Sequence, residues 1–385
     1  MSTAAERIGL DTMALPRSNA VPWFLWAVAF ASTSVLVGVI WDISWHSTIG
    51  RDTFWTPAHM AIYVGGVVAG LACGGHVLWL SFIAPAEWRV SAVRFWRWFY
   101  GPLGAWLCIW GALAMITSAP FDDWWHNAYG LDVEILSPPH IVLLFGIMAI
   151  QVGALVMALA RQNRFPDDRA LPWIYAYTAG LLILGLDTAA SEYLARPNQW
   201  HSQEFFTVSA MLFPFLLVSA AKGGGLRWPA TAAAGIYMVL KIGMILILPL
   251  FRATPMLAPI YNPVDRMVPP SFPLLLVVTA IAIDLMLRRL AGRWRWFQAL
   301  VIGVVFLGIH FVAQWLMGDL LLTPLGRNAF FVTDRFSYLA QPGDWWFSFW
   351  GRTAHVGGMA IAAVIAMFSA RLGLSWGAWM ERVQR

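Results

Sequence analysis

Long apolar runs alternate with short polar junctions along almost the whole chain. Each run has roughly 20 residues, the length that an α-helix needs to cross a hydrocarbon layer of about 30 Å. The pattern predicts an all-α fold: a polytopic integral membrane helical bundle of about ten transmembrane helices with repeated helical hairpins. The predicted spans are residues 22–41, 58–84, 97–118, 139–160, 171–190, 203–221, 229–250, 270–288, 297–317 and 350–370.

The composition agrees with a membrane protein. Of 385 residues, 59% are hydrophobic and only 12% are charged, whereas soluble domains carry about 25% charged residues. Many of the 24 Trp residues lie at the ends of the apolar runs, which is typical of the aromatic belts at membrane surfaces. Arginines in the connecting loops account for the net charge of +5, so we expect membrane lipid as the surroundings and no nucleic acid as a partner.

Positive charge is distributed unevenly between the two ends of the predicted helices. Seventeen of the 25 Lys and Arg residues lie in the terminal segments and in the loops on one side, and eight lie elsewhere. Cytoplasmic loops carry the excess of Lys and Arg, so we expect both termini to be cytoplasmic in a bacterial-type inner or cell membrane. The first span lacks the layout of a cleaved signal peptide and is expected to be retained.

A cluster of ionisable residues stands at the outer end of the first predicted helix, in the stretch WDISWHSTIGRDTFWTPAH (41–59). Asp42 and His46 are four residues apart, so they share one face of a helix. Gly50 and Pro57 break that helix, and the chain can then fold back to bring His59 in from the facing helix. Carboxylate and imidazole without thiolate suit copper, zinc or iron.

The stretch FDDWWHNAYGLDVEILSPPH (121–140) repeats this pattern about 80 residues later. The repetition predicts a duplicated helical hairpin with a second metal-binding set. The matching pairs are Asp42 with Asp122, Trp45 with Trp125, His46 with His126, Gly50 with Gly130, Asp52 with Asp132 and His59 with His140. Two weaker matches to the motif follow, one with Asp187, His201 and Glu204, and one with Asp319 and His355.

These features predict three regions. They are a cytoplasmic N-terminal tail (1–21), a duplicated hairpin metal-binding half (22–162) and a remaining membrane bundle (163–385) with an outer loop at about 318–349.

A simpler interpretation applies to each histidine alone, because a His at a membrane surface often only pairs with a carboxylate. Two carboxylate–imidazole sets in order favour a functional site over that interpretation. We expect His76 and His310, which lie deep in their spans, to form interhelical hydrogen bonds. Two interpretations of Lys241 and Asp284 stay open, since their spacing does not decide whether they pair or mark a pathway.

The first motif resembles the metal-binding stretch of the C subunit of particulate methane and ammonia monooxygenases, in the copper membrane monooxygenase superfamily. The resemblance covers about 20 residues, or 40 with the repeat. It implies a copper site near the outer face of the membrane, in enzymes that insert oxygen into small inert substrates. The matching residues are Asp42, His46, Arg51, Asp52, Thr53, Thr56, Pro57 and His59.

The leading hypothesis is therefore a copper-dependent, O2-using membrane oxidoreductase that acts on a small apolar substrate, alone, as a homo-oligomer or with membrane partner subunits. This hypothesis assigns no residue the role of a general base. The alternatives are a transition-metal transporter, a structural subunit that binds metal for stability, and a haem protein with axial histidines. Iron and zinc are the alternatives to copper.

Overall fold

The structure is a computed structural model that describes most of the chain. The predicted N-terminal tail, up to residue 20, and residues 332–349 of the predicted outer loop lie outside the described residues. The described residues are 21–50, 53–130, 137–195, 197–256, 265–326, 328, 330–331 and 353–384.

The all-α prediction is confirmed. Eight helices in the described part of the chain are long enough and apolar enough to cross a membrane, and the helices Leu171–Ala189, Ser191–Leu194 and Leu276–Arg289 are not among them. The α-helices are α1 (Trp23–Thr48), α2 (Pro57–Phe82), α3 (Leu103–Tyr129), α4 (Pro138–Arg164), α5 (Leu171–Ala189), α6 (Ser191–Leu194), α7 (Gln203–Gly223), α8 (Pro229–Ile247), α9 (Leu276–Arg289), α10 (Arg295–Leu322) and α11 (Val356–Met380).

Short non-α segments connect some of these helices. A two-stranded antiparallel hairpin between α2 and α3, which the apolar pattern did not predict, pairs β1 (Val93–Phe95) with β2 (Phe99–Gly101). The 3-10 helices are Ala86–Ser91, Pro197–His201, Leu248–Leu250 and Pro324–Gly326.

Two glycines and two prolines set the bends between the first four helices. Gly50 follows the end of α1 with φ 83°, and Gly130 follows the end of α3 with φ 91°. Residues with a Cβ rarely adopt such angles, so glycine ends these helices cleanly. Pro57 and Pro138 then begin α2 and α4, where the missing N–H costs nothing. The predicted breaks in both hairpins are confirmed.

Segments from the second half of the chain pack against the end of α1. We call this end of the bundle, with residues 42–59 and 122–140, the motif end. The backbone N–H of Val268 donates to Thr48 Oγ1 at 2.8 Å, and that of Met256 donates to the Ile49 carbonyl at 2.9 Å. Ser44 Oγ also donates to the Val268 carbonyl. The last turns of α1, which carry the first motif, are therefore held in place by the rest of the molecule.

Glycines allow α3 and α4 to approach backbone to backbone. A Cβ at Gly111 would lie 2.6 Å from the Gly146 carbonyl oxygen, and one at Gly104 would lie 2.3 Å from the Gly153 carbonyl oxygen. Small residues at such crossings are typical of helices that associate in lipid, where van der Waals packing replaces the hydrophobic effect. This close contact fixes the hairpin that carries the second motif.

We expect Gly111→Leu to lower the melting temperature of the purified protein by several degrees, because overpacking a tight contact costs about 1–3 kcal/mol. The matched control is Gly74→Leu, since a Cβ at Gly74 meets nothing within 4 Å. Melting of the two variants in the same detergent checks the prediction. Equal melting temperatures would contradict the packing described for α3 and α4.

Candidate metal centre

The first predicted set is brought together. Asp42 and His46 lie in the last two turns of α1, and His59 is the third residue of α2. His46 Nε2 lies 3.7 Å from Asp42 Oδ2, and His59 Nε2 lies 3.3 Å from Asp42 Oδ1. The carboxylate thus stands between the Nε2 atoms of two imidazoles that arrive from two helices. The expectation that the bend returns His59 to the Asp42–His46 face is met.

A backbone contact orients the His59 ring. His59 Nδ1 lies 3.0 Å from the Thr53 carbonyl oxygen. A carbonyl only accepts, so this hydrogen bond requires the proton on Nδ1 and directs Nε2 toward Asp42. Metal-bound histidines commonly use their second nitrogen in this way. This role of the Thr53 backbone was missed by sequence reasoning, since a main-chain contact leaves no mark in the residue types.

The second predicted set repeats the geometry. His126 Nε2 lies 3.4 Å from Asp122 Oδ2, and His140 Nε2 lies 3.5 Å from Asp122 Oδ1. His126 Nδ1 faces the Gly130 carbonyl oxygen at 3.4 Å. Asp122 and His126 lie at the end of α3, and His140 is the third residue of α4. Both hairpins therefore present one carboxylate and two imidazoles from equivalent positions.

The contact distances are informative. Charge-assisted N–H···O bonds are about 2.7–2.9 Å long, whereas the four contacts here measure 3.3–3.7 Å. Two donors bound tetrahedrally to one ion at roughly 2.0–2.1 Å would be separated by about 3.4 Å. The spacing of each Asp–His pair is thus close to that of ligand atoms around a shared cation.

Buried atoms in both sets lack hydrogen bonds within the described residues. They are Asp42 Oδ1, Asp122 Oδ1 and His140 Nδ1. A buried carboxylate oxygen is costly to leave without a partner. No group of three or more His, Cys, Asp or Glu side chains in the described residues is arranged so that it could hold a metal ion as it stands. The structure therefore shows the Asp–His pairs, and a bound ion would have to draw the third donor closer.

Aromatic rings flank both sets. The Tyr63 ring lies 6.0 Å from the His59 ring and 5.1 Å from the Phe54 ring. Trp125 packs against Tyr129 with ring centroids 4.5 Å apart. Tyr63 was missed by sequence reasoning, although its position four residues after His59 places it on the same helix face. Asp52 and Asp132, considered in the motif comparison, lie outside the described residues.

The residues of the two weaker motif matches do not pair in the order in which they follow one another in the sequence. Asp319, at the end of α10, contacts His201, with Oδ1 to Nε2 at 2.9 Å but without hydrogen-bond geometry. Asp187 instead forms a buried ion pair with Lys241, their side chains being 2% and 7% exposed. These two contacts do not repeat the hairpin arrangement, because each joins residues from separate hairpins.

Of the two open interpretations of Lys241 and Asp284, a pair between them is not what the structure shows, because each has another partner. The Asp284 carboxylate accepts from the Thr231 backbone N–H at 3.0 Å, from Thr231 Oγ1 at 2.8 Å and from the Ala230 N–H at 3.3 Å. It thereby satisfies backbone donors in the first turn of α8, where a negative charge is also favoured by the helix dipole. Lys241 and Asp284 therefore have separate structural partners.

Comparisons with known proteins add no relative. No protein-family model matches the chain, and neither a curated protein nor a solved structure shows significant similarity to it.

We expect Lys241→Met to destabilise the protein by about 3–5 kcal/mol, because it leaves the Asp187 carboxylate buried without its partner. The double variant Lys241→Met with Asp187→Leu should recover most of the loss, since no isolated charge remains. Thermal or denaturant unfolding of the purified variants measures both effects.

The control for this prediction is Lys222→Met. Lys222 pairs with Glu381, but the two side chains are 35% and 45% exposed, and exposed pairs contribute only about 0–1 kcal/mol. Equal losses of unfolding free energy for Lys222→Met and Lys241→Met would show that burial of the Lys241–Asp187 pair does not increase its effect on stability.

Proposed function

We propose that this protein is a copper-dependent integral membrane oxidoreductase that uses O2, with one metal held by Asp42, His46 and His59. A second metal is held by Asp122, His126 and His140. One observation carries the proposal: in both hairpins a carboxylate lies between the Nε2 atoms of two histidines from facing helices, at 3.3–3.7 Å.

The donor chemistry favours copper. Each set offers imidazole nitrogen and carboxylate oxygen, and the two cysteines of the chain, Cys73 and Cys108, are buried away from both sets within α2 and α3. Among divalent first-row metals, such a site has its highest affinity for Cu²⁺. The resemblance of residues 42–59 to the monooxygenase C subunit points the same way. Iron and zinc remain the alternatives to copper.

The protein residues supply binding, orientation and shielding. The Asp42 and Asp122 carboxylates hold two imidazoles each, and the Thr53 carbonyl directs the His59 ring. Bound copper would supply the redox chemistry that activates oxygen. The rings of Phe54 and Tyr63 lie beside the first set. They also suit a small apolar substrate.

The proposed orientation follows the distribution of Lys and Arg. The side with 17 of these residues faces the cytoplasm together with both termini, and the motif end faces outward. Apolar side chains exposed along α1, α2 and α10, such as Phe30, Leu71 and Leu316, suit contact with lipid or with partner subunits.

Transport is the less favoured alternative. That hypothesis required a path along Lys241, Asp284 and His310. Lys241 is instead held by Asp187, and Asp284 is held by the first turn of α8. A purely structural metal site would share the geometry of the two sets, and a haem site would use the same histidines, so both are separated from the proposal by experiment.

The protein purified after growth with ample copper should contain two copper ions per chain by elemental analysis. His46→Ala and His126→Ala should each lose one ion, and the double variant should lose both. His355→Ala is the control, because His355 is an exposed histidine outside the two sets. Copper-free wild-type protein, or variants with unchanged copper content, would overturn the assignment of these sites.

The reaction is tested separately from the metal. Copper-loaded membranes supplied with a reductant and a small alkane or alkene should consume oxygen and form an oxygenated product. His46→Ala or His126→Ala should abolish this activity. Bound copper without oxygen uptake would favour the structural alternative, copper flux into proteoliposomes would favour transport, and a Soret band would favour haem.

A further inference from the structure

Three buried polar side chains lack hydrogen bonds within the described residues. Two lie on α10, and the third lies on the α7 face that carries Phe205 and Phe213, whose rings are near the His310 ring. They are Ser209 on α7, and His310 and Gln314 on α10, each 0% exposed. The atoms without a partner are Ser209 Oγ, both ring nitrogens of His310, and both the amide nitrogen and oxygen of Gln314. The expected interhelical hydrogen bond of His310 is therefore absent from the described part of the chain.

Phenylalanines surround the His310 ring. Phe306 and Phe205 stack on it with centroids 5.1 and 5.6 Å away and interplanar angles of 16° and 7°. Phe206 and Phe213 lie 6.3 and 6.1 Å away. His310 is also twelve residues from the end of α10, or about 18 Å along its axis. The polar atoms thus lie deep in the bundle, far from bulk water.

Another buried serine and glutamine of the same chain form hydrogen bonds with each other. Ser32 and Gln151 are also 0% exposed. The Ser32 hydroxyl donates to Gln151 Oε1, and Gln151 Nε2 donates to the Ser32 carbonyl oxygen at 3.1 Å. A buried Ser–Gln pair in this bundle can therefore supply hydrogen-bond partners for its own polar atoms, whereas Ser209 and Gln314 do not.

Rearrangement within the protein can satisfy only part of the cluster. Gln314 lies four residues after His310, so rotation of their side chains could join one atom of each, and the Ser209 hydroxyl could donate to a carbonyl of its own helix. Two of the five atoms would still lack partners. An unsatisfied buried polar group costs about 1–3 kcal/mol, and the hydrocarbon layer offers no compensating solvent. A non-protein partner is the remaining way to satisfy these atoms.

We propose that Ser209, His310 and Gln314 form an internal binding site for ordered water. A neutral imidazole offers one donor and one acceptor, while the hydroxyl and the amide each offer both. The three side chains carry no fixed charge that would select an ion, so the set matches a small neutral molecule that donates and accepts. Buried waters typically make about three such bonds. The site is independent of the proposed copper centres, which lie on α1 to α4.

The first test replaces Gln314 with Leu in the purified full-length protein. If water bridges the cluster, Gln314→Leu removes one of its partners and lowers the melting temperature by about 2 °C or more. Gln151→Leu, which strands the Ser32 hydroxyl, is the matched control and should show a similar decrease. A higher melting temperature for Gln314→Leu would mean that a dry, unsatisfied amide had been removed, and would overturn the proposal.

The second test measures hydration directly. A thiol must ionise to react, so Ser209→Cys should react with methyl methanethiosulfonate at least about tenfold faster than the equally buried Ser32→Cys. The wild-type protein, with Cys73 and Cys108, gives the background rate. Equal rates for the two variants would overturn the proposal, and if Ser209→Cys does not fold, the Gln314→Leu measurement decides.

Discussion

The burial of polar side chains among apolar helices is the constraint on which the rest of the structure depends. A polar group buried in such surroundings is costly unless it has a hydrogen-bonding or charged partner. Lys241 and Asp187 find one another, and Asp284 serves the first turn of α8. The same requirement makes the two Asp–His–His sets notable, because each places between two imidazoles a carboxylate with one buried oxygen that has no hydrogen bond.

Local backbone chemistry builds both sets. In each hairpin a glycine with positive φ ends the outgoing helix and a proline begins the returning one. The glycine and the proline together place the third residue of the returning helix opposite the last turns of the outgoing helix. Asp42 therefore meets His59, and Asp122 meets His140, through the same sequence of steps. The close approach of α3 and α4 at Gly111 and Gly146 then fixes the second hairpin.

Short-range features were predictable from the sequence, and long-range pairing was not. Apolar run length indicated the helices, and the four-residue spacing of Asp42 and His46 predicted their shared face. Both follow from helix geometry alone. The partner of Lys241 depends on which helices pack together, and no periodicity encodes that, so the sequence did not indicate Asp187. The His59–Thr53 contact was also hidden, because a carbonyl is present at every residue. The identity of the metal and the reaction stay predictions.

Each hairpin carries its own carboxylate and both of its imidazoles, and this has an evolutionary consequence. Copying a gene segment for one pair of helices would deliver a complete additional Asp–His–His set in a single event, although the contacts of α1 with Met256 and Val268 come from elsewhere in the chain. The copies could afterwards diverge, because substitution of one carboxylate or imidazole leaves the three side chains of the other set unchanged.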